Sequence, residues 1–452
     1  MPDHPVPAAT LPLSRDAMAQ VARRSLEFSR SRGASDAEVE VSAAVGQSVT
    51  VRRGEVETVE YNRDKGLGIT VYFGKRRGNA STSDLSVDAV ERTVEAACAI
   101  ARHTAEDDAA GLPDEERLFR GEPPDLDLFH PWGLTVEEAI EIARRTEAAA
   151  LAVDKRITNS EGGTVSAYDT DFVLANTRGF VGGFANSKAS ISCGVVAEDA
   201  DGMQRDFWYT THRDPHRLEA PEAVGRLAGE RSVARLGGRR LPTADVPVIF
   251  EANIAGSLIG HFVSAASGSS LYRRSSFLLD RLGAAIFPAR VEILEDPHMA
   301  GELASSYFDA EGVSTMRRRV VEGGVLKGWF LSTYSARKLG LETTGNAGGN
   351  HNLIVKPGEH DLDGLVKLMG RGFLVTELMG QGVNPVTGDY SRGAAGFWVE
   401  DGEIRFPVEE VTIAGNLIDM FRGIQAVGRD VLIRGSKHNG SILVDRMTIA
   451  GD

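Results

Sequence analysis

Along the first half of the chain, stretches with apolar residues at helical spacing give way to stretches of strict in-out alternation, and this succession occurs twice. Met18, Val21, Ala22, Leu26 and Phe28 share one face of residues 14–32, with Ser14 placed to cap the start and Gly33 to stop the end, which predicts an amphipathic helix. The segments VEVSAAV, SVTVRRG, VETVEYN, GLGITVYFG and RRGNASTS come next. Their period of two, their Val, Thr and Tyr content and their Gly-bearing turns predict antiparallel strands. A second helix is expected over Val87–His103, with Val90, Val94, Ala97 and Ala101 on one face. An acidic, proline-containing linker crosses residues 105–134, and then the order returns. A helix is expected at Thr135–Val153, strands through SEGGTVSAYD, TDFVLANT, GFVGGFANSKASISCGVVAED and GMQRDFWYTTH, and a helix at Ala220–Leu236. Residues 14–104 and 135–237 thus read as two helix-strands-helix halves of an N-terminal α/β region around an antiparallel sheet.

From Thr243 the texture changes to short strand-like segments and frequent glycines, such as VPVIFE, NLIVKPG, GFLVTEL and AAGFWVEDG. Regular turn signals between them predict a mostly β, barrel-like C-terminal domain over 243–452, interrupted by helices at Asn253–Ala266 and Leu362–Met369. The last alternating run, SILVDRMTIAG, is expected to close the sheet rather than leave an edge. The fold class expected is α+β. Residues 1–13, with four prolines in the first twelve, read as a flexible arm.

Composition narrows the function classes. A chain of 452 residues calls for more than one core, and 42% hydrophobic with 25% charged residues is the balance of a globular protein. With 64 acidic against 50 basic residues the net charge is −14, which speaks against nucleic acid or an anionic membrane as partner. The short basic runs Arg52-Arg53, Lys75–Arg77 and Arg317–Arg319 read as solvated strand edges or turns. Two cysteines exclude a disulfide framework, the start MPDHPVPAATLPLSR has no signal-peptide pattern, and no stretch approaches the roughly 20 apolar residues of a membrane span. A cytoplasmic setting is expected.

The segment EANIAGSLIGHFVSAASGSS, Glu251–Ser270, carries the most informative chemistry. Ile254, Leu258 and Phe262 form an apolar stripe for the core, and Ser257, His261 and Ser264 form a polar stripe on another side. A Ser-His pair suggests nucleophile and base, but no orienting acid lies near in sequence, so catalysis is not expected there. Zinc needs three or four ligands, and the histidines are scattered. His212 and His216 are four apart, yet Pro215 between them argues against a regular helix, and the turn reading is preferred to a zinc site. GNAGGNHN at Gly345–Asn352 and MGQGVNPVTGDYSRGAAG beyond Glu377 are Gly- and Asn-rich loops without a nucleotide signature.

Three longer strings, SSYFDAEG, ETTGNAGGNHNL and TELMGQGVNPVTGDYSRGAAGFWVEDGEI, resemble the TldD/PmbA family, and the resemblance extends over most of the chain. Within that family the TldD branch is similar to a zinc protease, with a His-Glu-x-x-x-His helix and a C-terminal Cys ligand. Laid on Ala255-Gly256, that motif puts Gly260 at the first His, His261 at the Glu and Ala265 at the second His, while Cys98 and Cys193 both lie in the first half. The resemblance therefore implies the PmbA (TldE) branch, the partner of TldD in a heterodimeric protease that trims and matures peptides and degrades unfolded proteins. It implies no metal on this chain, zinc on a TldD-like partner, and a role in substrate binding or gating. It also implies that Thr344, Asn346, Glu377 and Tyr390 face a substrate channel, joining Ser257, Gly260, His261 and Ser264 as groove candidates. The isolated chain could also pair with a second copy of itself. Two alternatives stay open: a stand-alone metallopeptidase with ligands the pattern does not reveal, and a homo-oligomeric binding or scaffold protein of the DNA-gyrase-modulator type.

Overall fold

The computed structural model describes residues 11–451; most of the arm read at 1–13 lies outside them. In the first half, helix α1 (Arg15–Ser31) is followed by β1 (Asp36–Arg52), β2 (Glu55–Phe73), β3 (Arg76–Thr82) and α2 (Val87–His103). Helix α3 (Val136–Leu151) opens the second pass, with β4 (Ile157–Asn176), β5 (Val181–Gly182), β6 (Asn186–Asp199), β7 (Gly202–His212) and α4 (Pro221–Ala234). The strands of both passes form one seven-stranded sheet in the order β3-β2-β1-β4-β6-β7, with β5 added to β4. All its pairings are antiparallel.

Local chemistry places the helices where the apolar spacing implied. The Ser14 hydroxyl accepts from the Ala17 N–H at 3.3 Å, and α1 buries Met18, Ala22 and Leu26 on the sheet. Thr135 and Glu138 form a reciprocal capping box at the start of α3. Helices α3 and α4 approach until a Cβ at Gly225 would lie 1.9 Å from the Thr146 carbonyl, so glycine is required there.

The sheet corrects one expectation. Segments read as separate strands joined by glycine turns are continuous: β1 runs through Gly46 and β2 through Gly66 and Gly68. Gly46 is needed because the Tyr168 ring of β4 lies flat over it, 2.3 Å from where a Cβ would stand. The 105–134 stretch is an ordered strap that buries Leu112, Leu118, Leu126 and Leu128, and Leu118 bridges to Val313.

The second half begins with β8 (Ala244–Phe250), α5 (Ala252–Ala265), α6 (Gly268–Tyr272), β9 (Ile293–Asp296), β10 (Arg318–Glu322), β11 (Val325–Leu326), α7 (Thr333–Leu339) and β12 (Asn352–Val355). It continues through α8 (Leu362–Met369), β13 (Gly372–Met379), β14 (Asp389–Glu400), β15 (Glu403–Asn416) and α9 (Leu417–Arg422). It finishes with β16 (Ile424–Val427), β17 (Leu432–Ile433), β18 (Lys437–Asn439) and β19 (Ile442–Ala450). Strands β15-β14-β13-β8-β19 close on themselves because β15 also pairs with β19, giving a five-stranded barrel with β16 outside. A second sheet, β11-β10-β9-β12-β18-β17, curves beside it, and α5 packs Leu258, Ile259 and Phe262 into the shared core. The α+β class and the barrel-like second half expected from the pattern are what the chain adopts.

An aromatic cluster of Phe172, Phe180, Phe184, Tyr307 and Phe308 fastens the two halves, and Tyr307 donates to the Gly183 carbonyl at 3.0 Å. Arg318 is turned inward rather than solvated: it meets the fully buried Glu295 carboxylate at 2.7 Å, which corrects the reading of the 317–319 run. Glu295 also accepts from Asn346 and from the His351 N–H, so although burial opposes ionisation, these hydrogen bonds and the Arg318 charge hold its carboxyl below the usual range.

Glu38 of β1 behaves in the opposite way. Burial, with Glu311 and Asp309 nearby and Arg77 opposing, pushes it up to about 8. A folded-state value above the unfolded 4.5 means the native state binds the extra proton, so stability falls as pH rises from the unfolded to the folded value. Glu38→Gln removes that loss. Its gain in melting temperature over the parent is expected to be small near pH 5 and larger near pH 9, as thermal denaturation at the two values would show.

Candidate functional site

Helix α5 begins beside a cleft of about 470 Å³ between the two halves of the molecule. Asp206, Phe207 and Tyr209 of β7 form one wall, Leu432, Arg434 and Lys437 of β17, β18 and their connection form another, and Thr376, Glu377 and Arg392 come from β13 and β14. Both β7 and β17 are the terminal strands of their sheets, so two strand edges border the cleft.

Ion pairs set this geometry. Glu251 precedes α5 but makes no side-chain cap; its carboxylate takes two hydrogen bonds from Arg231 of α4, at 2.7 and 3.0 Å. Arg231 also reaches Asp206 at 3.3 Å, and Arg235, one turn on, reaches Glu377 at 2.5 Å. Arg231 and Glu251 side chains are only 12% and 14% exposed, so their pairing is little screened. On the far side the start of α5 is tied to the end of β18 and its link to β19, because Ala252 N–H donates to Ser441 Oγ at 3.0 Å and Asn439 donates to the Ala252 carbonyl.

The cations of the cleft stand differently. Arg434 lies 3.9 Å from both the Trp208 and Tyr209 ring centroids and donates to the Tyr209 carbonyl. Burial lowers its pKa, and burial likewise holds Lys437 below its ordinary value. Among the described residues, no carboxylate forms an ion pair with Arg392, Arg434 or Lys437.

The residues singled out from sequence divide into two groups. Ser257 and Glu377 line the cleft. The Ser257 hydroxyl donates to the Ile254 carbonyl within its own helix, at 2.7 Å. Gly260 lies beside Lys437, whose Cε would be 3.5 Å from an added Cβ. His261 meets the Tyr390 ring edge-on at 5.9 Å; burial, with Arg392 adding to it, lowers the His261 pKa, and burial pushes Tyr390 up to about 12. Ser264 is exposed at the other end of α5. Thr344 and Asn346 belong elsewhere: Thr344 Oγ1 accepts from the Leu331 N–H and donates to Asn346 Oδ1, and Asn346 is held in the Glu295 and Arg318 network. His212 Nδ1 accepts from the Asp214 N–H in a turn, and His216 sits in the following 3-10 turn. Ala265, which the resemblance set at the second His position, is 2% exposed in the core. Among the described residues no three His, Cys, Asp or Glu side chains come together as a metal-ligand group. The residues missed from sequence are Thr376, Arg392, Arg434 and Lys437; the Arg and Lys of RGSK at 434–437, amid short strand segments, were the available signal.

A helix-covered antiparallel sheet joined to a five-stranded barrel across this cleft has known counterparts. The chain belongs to the PmbA/TldA metallopeptidase family, matching its domain 1 at residues 37–101, its central domain at 129–236 and its C-terminal domain at 243–451. It falls on the PmbA branch: it is 51% identical to Metalloprotease PmbA of Escherichia coli O157:H7 over 93% of both chains. A Bacteroides thetaiotaomicron protein whose name proposes it as a modulator of DNA gyrase superposes with a TM-score of 0.92 at 27% identity, covering 97% of this chain and 100% of that one. TldE from Thermococcus kodakarensis shares the fold, with a TM-score of 0.81 at 22% identity over 96% and 100% of the two chains.

The ion pair at the head of α5 is a stability test. Arg231→Leu leaves Glu251 buried without its partner and should cost about 3 kcal/mol or more. Arg405→Ala, which breaks an exposed pair with Glu403, should cost roughly 0.5 kcal/mol. Urea denaturation of the two variants measures both.

Proposed function

We propose that this chain is the non-catalytic subunit of a cytoplasmic zinc metalloprotease, pairing with a TldD-like chain that carries the metal and acting on peptides and unfolded proteins. What supports this reading is helix α5, where the resemblance sets Gly260, His261 and Ala265 at the metal-motif positions and Ala265 is buried in the core. Both cysteines, Cys98 and Cys193, are buried, and burial raises their thiol pKa values, which disfavours the thiolate a metal would require. The cleft beside α5, bordered by two strand edges, suits an extended peptide that adds to a sheet. The chain's role is then to bind and gate substrate, and bond cleavage belongs to the partner. Among the described residues no helix is long and apolar enough to cross a membrane, which is consistent with this setting.

Elemental mass spectrometry of the chain purified alone under reducing conditions is the first test, with zinc well below one per chain expected. Co-expression with a TldD-like homologue should yield a one-to-one complex that binds zinc and cleaves unfolded peptides. Stoichiometric zinc on the lone chain, or peptidase activity without a partner, would overturn the reading. The triple variant Gly260→His, His261→Glu, Ala265→His should remain inactive alone, since the third ligand is missing and position 265 points into the core.

A further inference from the structure

The cleft beside α5 combines features that are costly unless a ligand uses them. Arg392, Arg434 and Lys437 line it, and among the described residues none has a carboxylate partner. Burying cations in this way is unfavourable, and burial accordingly lowers the pKa of both Arg434 and Lys437. Thr376, 7% exposed and lining the same cleft, has a hydroxyl with no hydrogen-bond partner, and Arg392 Nε, Arg434 Nε and Asn253 Oδ1 are likewise unpartnered. The first turn of α5 borders the cleft and Glu251 gives it no side-chain cap, although the Ala252 N–H donates to Ser441 Oγ, so its positive dipole end adds to the field of the three cations. Glu251, the residue placed to neutralise that end, is committed to Arg231.

We propose that this cleft binds a peptide carboxylate, with Arg392 and Lys437 as its charged partners and Thr376 as a hydroxyl donor. That a carboxylate is bound stands on the cleft's own residues; that it belongs to a peptide rests on the function proposed above. A carboxylate fits better than a phosphate because Asp206 and Glu377 also line the cleft, and a second negative charge would meet them. Phe207, 41% exposed and stacked on Tyr209, gives an apolar surface for a neighbouring side chain.

Calorimetric titration of the full chain with pentaalanine free acid, pentaalanine amide, a pentaalanine amide carrying one glutamate, and inorganic phosphate tests this. The free acid should bind roughly ten- to a hundredfold more tightly than the amide, the gain of a charge-assisted contact. Equal binding of the glutamate-bearing amide supports the carboxylate site and assigns a side chain as its source. Lys437→Gln and Arg392→Gln should each narrow the difference between acid and amide. Acid and amide binding alike would overturn the carboxylate site while leaving the peptide-handling reading intact. Phosphate binding without any peptide binding, or no binding at all, would overturn the proposal. The acid–amide comparison on the unaltered chain does not depend on how well either variant folds.

Discussion

The ion-pair cluster of Arg231 and Arg235 with Glu251, Asp206 and Glu377 is the constraint that the rest of the site depends on. It joins four elements: α4 with its C-cap, β7, the turn from β8 into α5, and β13, which lies more than a hundred residues further along the chain. Because these groups are mostly shielded from water, each needs the others, and relative movement of the two halves would strand a charge. The cluster also separates the polar groups of the cleft by role. Its acids are paired with Arg231 and Arg235, whereas the cations contributed by the barrel and the curved sheet, Arg392, Arg434 and Lys437, line the cleft without a carboxylate partner among the described residues.

Helix α5 shows how one helix can serve the core on one face and border the cleft on another. Its apolar face is intact and fully packed through Leu258, Ile259 and Phe262, so the helix is retained as a wall between core and cleft. Another face carries Gly260 and His261, and Lys437 runs alongside Gly260. The Ser257 hydroxyl is committed to its own helix and Ser264 lies at the exposed far end, so the polar stripe read from sequence does not converge on one point.

Helices were legible because their signal is local. Ser14 caps where the spacing implied, Thr135, read as the first helical residue, caps α3 instead, and α2 and α8 have the bounds that periodicity gave. Strand lengths were less so: Gly46 looks like a break until Tyr168, more than a hundred residues away, is seen to cover it. Buried charge was not legible, since nothing in the string RRRVVE marks Arg318 as the one that meets Glu295. The cleft was half legible for the same reason. Ser257 and Glu377 stood out on a helix and beside a conspicuous loop, whereas Thr376, Arg392 and Lys437 acquire meaning from strands that meet only in the folded sheet arrangement.

Closure of the barrel has a consequence for how the chain is made. Strand β8 at 244–250 finds its neighbour β19 at 442–450, and β19 in turn seals against β15. The N-terminal sheet draws all its strands from the first 212 residues and can assemble while synthesis continues. The barrel cannot: β8 has an open edge until β19 has been made. Since α5 follows β8 directly and its first turn is fixed by Ser441 and Asn439, the cleft is among the last features to form. A chain lacking the segment from β18 to β19 therefore presents a finished N-terminal sheet without the cleft, so the cleft is the part of the fold most exposed to loss of that segment.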